Sequence, residues 1–194
     1  IEVNSIMVRT EKYPESIPDE SIGVLCASAD IQADRIEVLV NGYSATQIWV
    51  VGMQIFYGSP TSEDLWNKVE EYLRQTWPHP SGQDLRIART FIDSGYETGA
   101  VYTFCKKNEA IGIRAIKGVG GMSRGEVGRP SKNNSARCNV WPLGVNTLKT
   151  QVMARLKIES EEEPGYIHFP DFLDEEFFLQ LTAERLVKKY SKGI

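Results

Sequence analysis

Between Ile22 and Tyr57 apolar and polar positions alternate with the period of a strand. Residues 22–29 are rich in strand formers and close on Asp30. Residues 35–40 set Ile36, Val38 and Val40 against Glu37 and Asn41, and residues 46–57 continue the pattern. The joining segments, 30–34 and 42–45, are short and polar, so the three runs predict an antiparallel meander. From Thr61 the period changes to that of a helix. Thr61 or Ser62 supplies the cap, Glu63 and Asp64 the first turn, and Leu65, Val69, Tyr72 and Leu73 the apolar stripe, until Trp77-Pro78-His79-Pro80 stops it. A second strand-like run, 85–92, closes on Asp93 with Ser94 and Gly95 behind it. A helix at about 97–107 and a strand at 111–116 follow, and this alternation predicts parallel pairing. Asn146 then caps a helix over 147–157 with Leu148, Val152 and Leu156 inward. Residues 161–165 form a turn and 166–169 a short strand, with His168 in a structural role. Residues 174–190 form an amphipathic helix that buries Phe177, Phe178, Leu181, Leu186 and Val187.

Composition adds a frame. With 194 residues, 41% hydrophobic and 25% charged, the chain is ordinary globular material for one core. It begins at Ile1 without a methionine, and residues 9–20 are polar, so residues 1–20 are expected to be a linker from a preceding domain and 21–194 the folded unit, a piece of a longer protein. No run approaches the roughly 20 apolar residues that span a bilayer, which leads us to expect no membrane partner. Cys26, Cys105 and Cys138 form no CxxC pair, so neither a zinc site nor a disulfide framework is indicated, and a cytoplasmic setting is expected.

A net charge of −4 argues against a uniformly basic coat, but its distribution is uneven. Arg114, Lys117, Arg124, Arg129, Lys132 and Arg137 meet a single acid, Glu126, whereas 159–176 is strongly acidic. The long glycine-rich loop 118–135 within the basic stretch suits a polyanion. It contains no G-x-x-x-x-G-K-[ST] sequence, nor does the rest of the chain, so no ATP site is supported. Lys149, placed against the dipole of the 147–157 helix, is a further candidate for a phosphate.

Asp30 and Asp93 carry the chemistry. An Asp before Ser-Gly or a polar turn commonly serves the turn itself or caps a helix. On parallel neighbouring strands, however, two such carboxylates end about 5 Å apart and can share divalent cations. Oxygen ligands favour Mg²⁺ or Mn²⁺, and two such ions suit phosphodiester hydrolysis. Three antiparallel strands, a helix, then strands alternating with helices is the order of a ribonuclease-H-like mixed sheet flanked by helices. There the first strand lies parallel beside the fourth, which would bring the two aspartates together.

Several segments also carry a family resemblance. They are 29–37 (Ala-Asp-Ile-Gln-Ala-Asp-Arg-Ile-Glu), Ile92-Asp93-Ser94-Gly95, Ala115-Ile116-Lys117-Gly118, Gly144-Val145-Asn146-Thr147-Leu148-Lys149, Tyr166-Ile167-His168-Phe169-Pro170 and Gln180-Leu181-Thr182-Ala183-Glu184. In this order they resemble the nuclease domain of the lambda-type (GpA family) large terminase subunit of tailed phages, over about residues 20–190. The resemblance implies a metal-dependent endonuclease that cuts concatemeric double-stranded DNA during packaging. It also implies an ATPase motor domain ahead of Ile1, and a small terminase subunit and a portal or procapsid as partners.

In that resemblance Asp30 matches the first catalytic aspartate, bridging two Mg²⁺ or Mn²⁺ ions, and Asp93 the second. The third acid is expected in an Asn-Glu-Ala-Leu-Asp segment, which does not occur before Ile194, so the domain is expected to lack its extreme C-terminal part, with Asp171 as the alternative third acid. Lys117 is expected near the metal edge, and Arg124, Arg129, Lys132, Arg137 and Lys149 along the DNA backbone. Asp34 and Glu37 fall outside the core site on this reading, since alternation along the strand points Glu37 away. A resolvase- or transposase-type nuclease and a catalytically incomplete DNA-gripping module are the alternatives.

Overall fold

The computed structural model describes residues 1–121 and 124–183. In chain order a short helix α1 (Val3–Met7) and a two-residue strand β1 (Thr10–Glu11) precede the meander β2 (Val24–Ile31), β3 (Arg35–Tyr43) and β4 (Ile48–Tyr57). Then come α2 (Glu63–Arg74), β5 (Thr76–Trp77), β6 (Leu85–Asp93), α3 (Thr98–Lys107), a 3₁₀ turn (Glu109–Ile111) and β7 (Ile113–Val119). The chain continues through β8 (Ser131–Lys132), β9 (Asn139–Gly144), α4 (Val145–Arg155), β10 (Ile167–Pro170) and α5 (Glu175–Thr182). The strands lie in the order β1-β10-β4-β3-β2-β6-β7-β9-β8, with β5 beside β6. β2, β3 and β4 are antiparallel, whereas β2, β6, β7 and β9 run parallel. The expected mixed sheet is therefore present, with the meander leading into parallel strands and β2 beside β6.

The pleat sorts side chains onto two faces. On one face Leu25, Ala27 and Ala29 of β2 and Ile36, Val38 and Val40 of β3 join Leu65, Trp66 and Val69 of α2 and Val101 and Phe104 of α3 in the larger core. A second core gathers Ile6, Val50, Leu156, Phe169, Leu173 and Phe178, with Leu39 and Met53 packed against it. This second core lies under α1, α4 and α5 and leaves the β2–β6–β7 part of that face open: Ser28 and Phe91 are exposed there.

Two expectations are corrected. Residues 1–20 are no free linker: Ile6 and Ile17 are buried, and β1 pairs in parallel with β10, Thr10 opposite Phe169. The Arg9 guanidinium donates to the carbonyls of Leu156 and Ile167 and lies 4.4 Å from the Tyr166 ring centre. Helix α4 begins one residue after Gly144, which stands at the cap in place of Asn146, and Val152 faces solvent while Leu156 is buried just past the helix end. Its N-terminal end meets the 124–128 loop instead of laying an apolar stripe on the core. Leu186 and Val187, expected on the last helix, lie outside the described residues.

His168 is structural, as its sequence setting implies. It is buried, stacks on Trp49 at 4.6 Å between ring centres, and pairs through Nδ1 with Glu11 Oε1 at 2.7 Å.

Candidate functional site

A one-residue irregularity decides what the ends of β2 and β6 present. Leu25 is opposite Ile87, but the next pair is Cys26 with Arg89, so Ala88 is an extra residue in β6. Pairing then runs regularly to Ala29 opposite Ile92. The bulge is visible in burial, because Ala88 and Arg89 are both exposed and alternation resumes with the opposite parity. Without the bulge, with Ala88 paired to Cys26, Asp30 would have stood level with Ile92 and Asp93 would have faced the helices. With it, Asp30 and Asp93 end neighbouring parallel strands at the same level and on the same face, one strand spacing apart, about 5 Å. Gly112 accommodates the bulge: it holds φ of +90°, and a Cβ there would come 2.6 Å from the Ala88 carbonyl oxygen.

Both carboxylates are accessible, Asp30 exposed and Asp93 partly so. The end of β6 is closed by Ser94, whose N–H and Oγ both donate to the Ile116 carbonyl, at 3.0 and 2.7 Å. Thr98 Oγ1 then donates to the Ser94 carbonyl at 2.8 Å, so the turn is held by its own bonds and not by the Asp93 carboxylate. At Gly95 an added Cβ would stand 3.1 Å from Asp93 Oδ2, close enough to restrict that oxygen. Among the described residues no Lys or Arg pairs with Asp30 or Asp93. Two like charges at this spacing with no protein counter-charge are stabilised by a cation, and an all-oxygen pair fits a hard divalent ion.

Glu37 is the residue that sequence reasoning misses. It is the cross-strand partner of Asp30, and opposed residues of an antiparallel pair share a face. The Gln32 side-chain amide donates to Asp30 Oδ2 at 3.2 Å and to Glu37 Oε1 at 3.3 Å, bridging the two. Arg35 Nε donates to Glu37 Oε1 at 2.6 Å, and Arg35 Nη1 to Asp34 Oδ1 at 3.0 Å. The Glu37 hydrogen bond holds the Arg35 guanidinium above its ordinary range. Counting outward from the hairpin, with Ile31 opposite Ile36, is the signal that would have placed Glu37 beside Asp30. Among the described residues no three His, Cys, Asp or Glu side chains converge as a set able to hold a metal ion.

Asp171 is not brought to this pair. It follows β10, three strands from β2 and so about 14 Å away in strand spacing alone, with its N–H bonded to the Glu11 carbonyl at 2.9 Å. Lys117 lies at the right edge but on the other side. Ile116 is opposite Asp93, so Lys117, the next residue, alternates to the helix-bearing face, exposed. Arg124, Arg129, Lys132 and Arg137 are all exposed on the excursion that leaves β7 at the edge where Asp93 ends. That excursion is tied to the β9–α4 junction: Gly144 N–H donates to the Glu126 carbonyl, Gly128 N–H to the Pro142 carbonyl, and Thr147 Oγ1 to the Arg124 carbonyl. A side chain at Gly144 would collide with the Gly125 carbonyl oxygen. Lys149 is exposed on α4, the helix that receives these contacts.

A family model described as the terminase large subunit gpA endonuclease domain matches residues 1–194. The structure is similar to the human cytomegalovirus terminase nuclease domain, with 14% identity and a TM-score of 0.51 over 98% of this chain and 88% of that one. It is equally similar, at 14% identity and a TM-score of 0.51, to the Mn-soaked, inhibitor-bound form of that domain, over 93% of this chain and 85% of that one. The large terminase of a thermophilic bacteriophage matches at 12% identity and a TM-score of 0.39, over 58% of this chain and 28% of that chain. No curated protein sequence matches significantly. At these identities the cytomegalovirus structures establish a shared fold.

Proposed function

Because the chain belongs to the family of terminase large subunit gpA endonuclease domains, we propose that it hydrolyses phosphodiester bonds of double-stranded DNA at the Asp30–Asp93 edge, with Mg²⁺ or Mn²⁺. The observation that carries this reading is the bulge-set register, which puts the two carboxylates level on an open face. The Mn soak of the cytomegalovirus domain supports a divalent cofactor here.

When bound as a pair, such ions would lower the pKa of a water and stabilise the departing oxygen. The chain's own residues do the rest. Asp30, on the central strand between β3 and β6, and Asp93 beside it would supply the carboxylate oxygens that hold the ions. Gln32 fixes the orientation of Asp30 Oδ2. Arg35 neutralises Glu37, so the acid beside the site adds little repulsion to an incoming phosphate. The exposed Arg124, Arg129, Lys132 and Arg137, with Lys149, would follow the DNA backbone and give affinity without sequence readout.

In the whole protein we propose an adjoining ATPase motor, a small terminase subunit and a portal or procapsid as partners, acting on concatemeric DNA in the host cytoplasm. No helix among the described residues is long and apolar enough to cross a membrane.

Supercoiled plasmid incubated with the chain is expected to be nicked with Mn²⁺ or Mg²⁺ and left intact with EDTA. Cutting that persists in EDTA would refute the metal site. The two-acid set also favours a second reading, a DNA-gripping module without catalysis. It would be adopted if calorimetric titration showed no Mn²⁺ bound at millimolar concentration.

The basic loop makes its own prediction. Changing Arg129 and Lys132 together to Gln should reduce the slope of log affinity against log salt by about 1–2, each phosphate contact contributing about 0.9. An unchanged slope would remove the loop from the DNA interface.

A further inference from the structure

Next to the candidate site is a groove of about 460 Å³ that the phosphodiester chemistry does not use. Its floor is the Asp30 face of the sheet, continued outward. Glu37 is opposite Asp30, Ile55 is opposite Glu37, and Tyr57 is opposite Arg35, so the groove begins one strand from Asp30 and reaches β4 at about 10 Å. Its far wall is Phe172 and the first turns of α5, including Asp174, Glu176 and Gln180.

Two aromatic rings on this rim are unusually open, Tyr57 at 72% exposure and Phe172 at 40%. Neither has a ring contact among the described residues. Asp174 and Glu176 make the lining acidic, since Glu37 is paired with its one guanidinium, Arg35, which also meets Asp34. A phosphate would be repelled, whereas a flat neutral ring carrying amino groups would find both faces to stack on and carboxylate oxygens to accept its hydrogens.

We infer that this groove takes one unstacked nucleobase of the DNA strand whose phosphate lies at Asp30 and Asp93, with amino-bearing bases favoured over thymine. The inference rests on the nuclease reading above, since that reading supplies the strand. Tyr57 and Phe172 provide the stacking surfaces, and Glu176, on the exposed side of α5, accepts from the exocyclic amino group. The sugar-phosphate chain runs outside the acidic lining.

The test is the anisotropy of labelled (dC)12 and (dT)12 in EDTA, where no cutting competes, across a salt series. Tyr57→Ala and Phe172→Ala should each weaken (dC)12 binding about fivefold or more, the range for losing one stacked base. Tyr57→Phe should stay within about twofold. The salt slope should not move, because no phosphate contact is lost. Glu176→Gln should narrow the preference for (dC)12 over (dT)12. Tyr57 is so exposed that its variants are expected to unfold at the wild-type temperature.

Unchanged (dC)12 affinity in both alanine variants would overturn the groove, and so would a loss accompanied by a lower salt slope, which would signal a phosphate contact. Metal-dependent nicking with indifferent Tyr57 variants would leave the nuclease reading standing and the groove refuted. Stacking losses without any nicking would do the reverse.

Discussion

Asp30→Asn should reduce metal-dependent nicking by at least about 10²-fold, the scale on which removing one electrostatic stabiliser of a transition state acts. The side chain keeps its shape, so Gln32 can still donate to the remaining oxygen; what goes is the charge that holds a cation between β2 and β6. Asp30 is exposed, and an exposed change of this kind alters stability by no more than about 0.5 kcal/mol. DNA affinity should hold or rise slightly, because a negative charge has been taken from beside a polyanion. The measurement pairs plasmid nicking with Mn²⁺ titration by calorimetry: both signals should fall together while the unfolding temperature stays. Equal cutting by variant and wild type would remove Asp30 from the chemistry. Lost cutting with unchanged Mn²⁺ binding would move the ion elsewhere.

Phe178→Ala should cost about 3–5 kcal/mol, the range for emptying a well-packed aromatic site. Phe178 is fully buried and meets Phe169 and Phe177 edge-on, with ring centres at 5.5 and 5.3 Å. Around it are Ile6 of α1, Val50 of β4, Leu156 and Leu173, so one ring joins both ends of the described chain to the sheet. A domain of this kind has some 5–15 kcal/mol in all, so the variant spends a large share of it. For a chain of about this size the midpoint should drop by roughly 6–20 °C. Urea unfolding followed by far-UV circular dichroism would read the loss. A cost below about 1 kcal/mol would mean that the second core is not cooperative with the first.

Local pattern carried the architecture a long way. The meander is written in the alternation of Ile36, Val38 and Val40, and α2 in the spacing of Leu65, Val69 and Leu73; each element is specified by residues close in sequence. Asp30 and Asp93 were legible because strand ends are legible. Their common face was not, since it depends on one extra residue, Ala88, whose only trace is a break in alternation at Ala88 and Arg89. Glu37 escapes local reading because alternation along a strand does not show its pairing with Asp30 across the hairpin. The attachment of residues 3–11 was beyond local reading: β1 is two residues long, and its partner β10 is more than 150 residues away along the chain, where no periodicity reaches. Helix α4 misled for a related reason, since its place is set at one end by backbone contacts to the 124–128 loop and not by an apolar stripe.

The two-residue strands that finish the sheet, β1 at one side and β8 at the other, bear on how copies of this domain behave when crowded together. A wide sheet invites strand addition from a neighbouring molecule wherever a long edge has unpaired backbone groups. Here each outer strand is too brief to seed a ladder, and Lys132 puts a charge on the β8 rim. If β1 peeled away, β10 would become the edge, four residues carrying Ile167 and Phe169 next to open donors and acceptors. The grip of Arg9 on the Leu156 and Ile167 carbonyls and the Glu11–His168 pair therefore fasten β1 in place and keep the β10 rim covered.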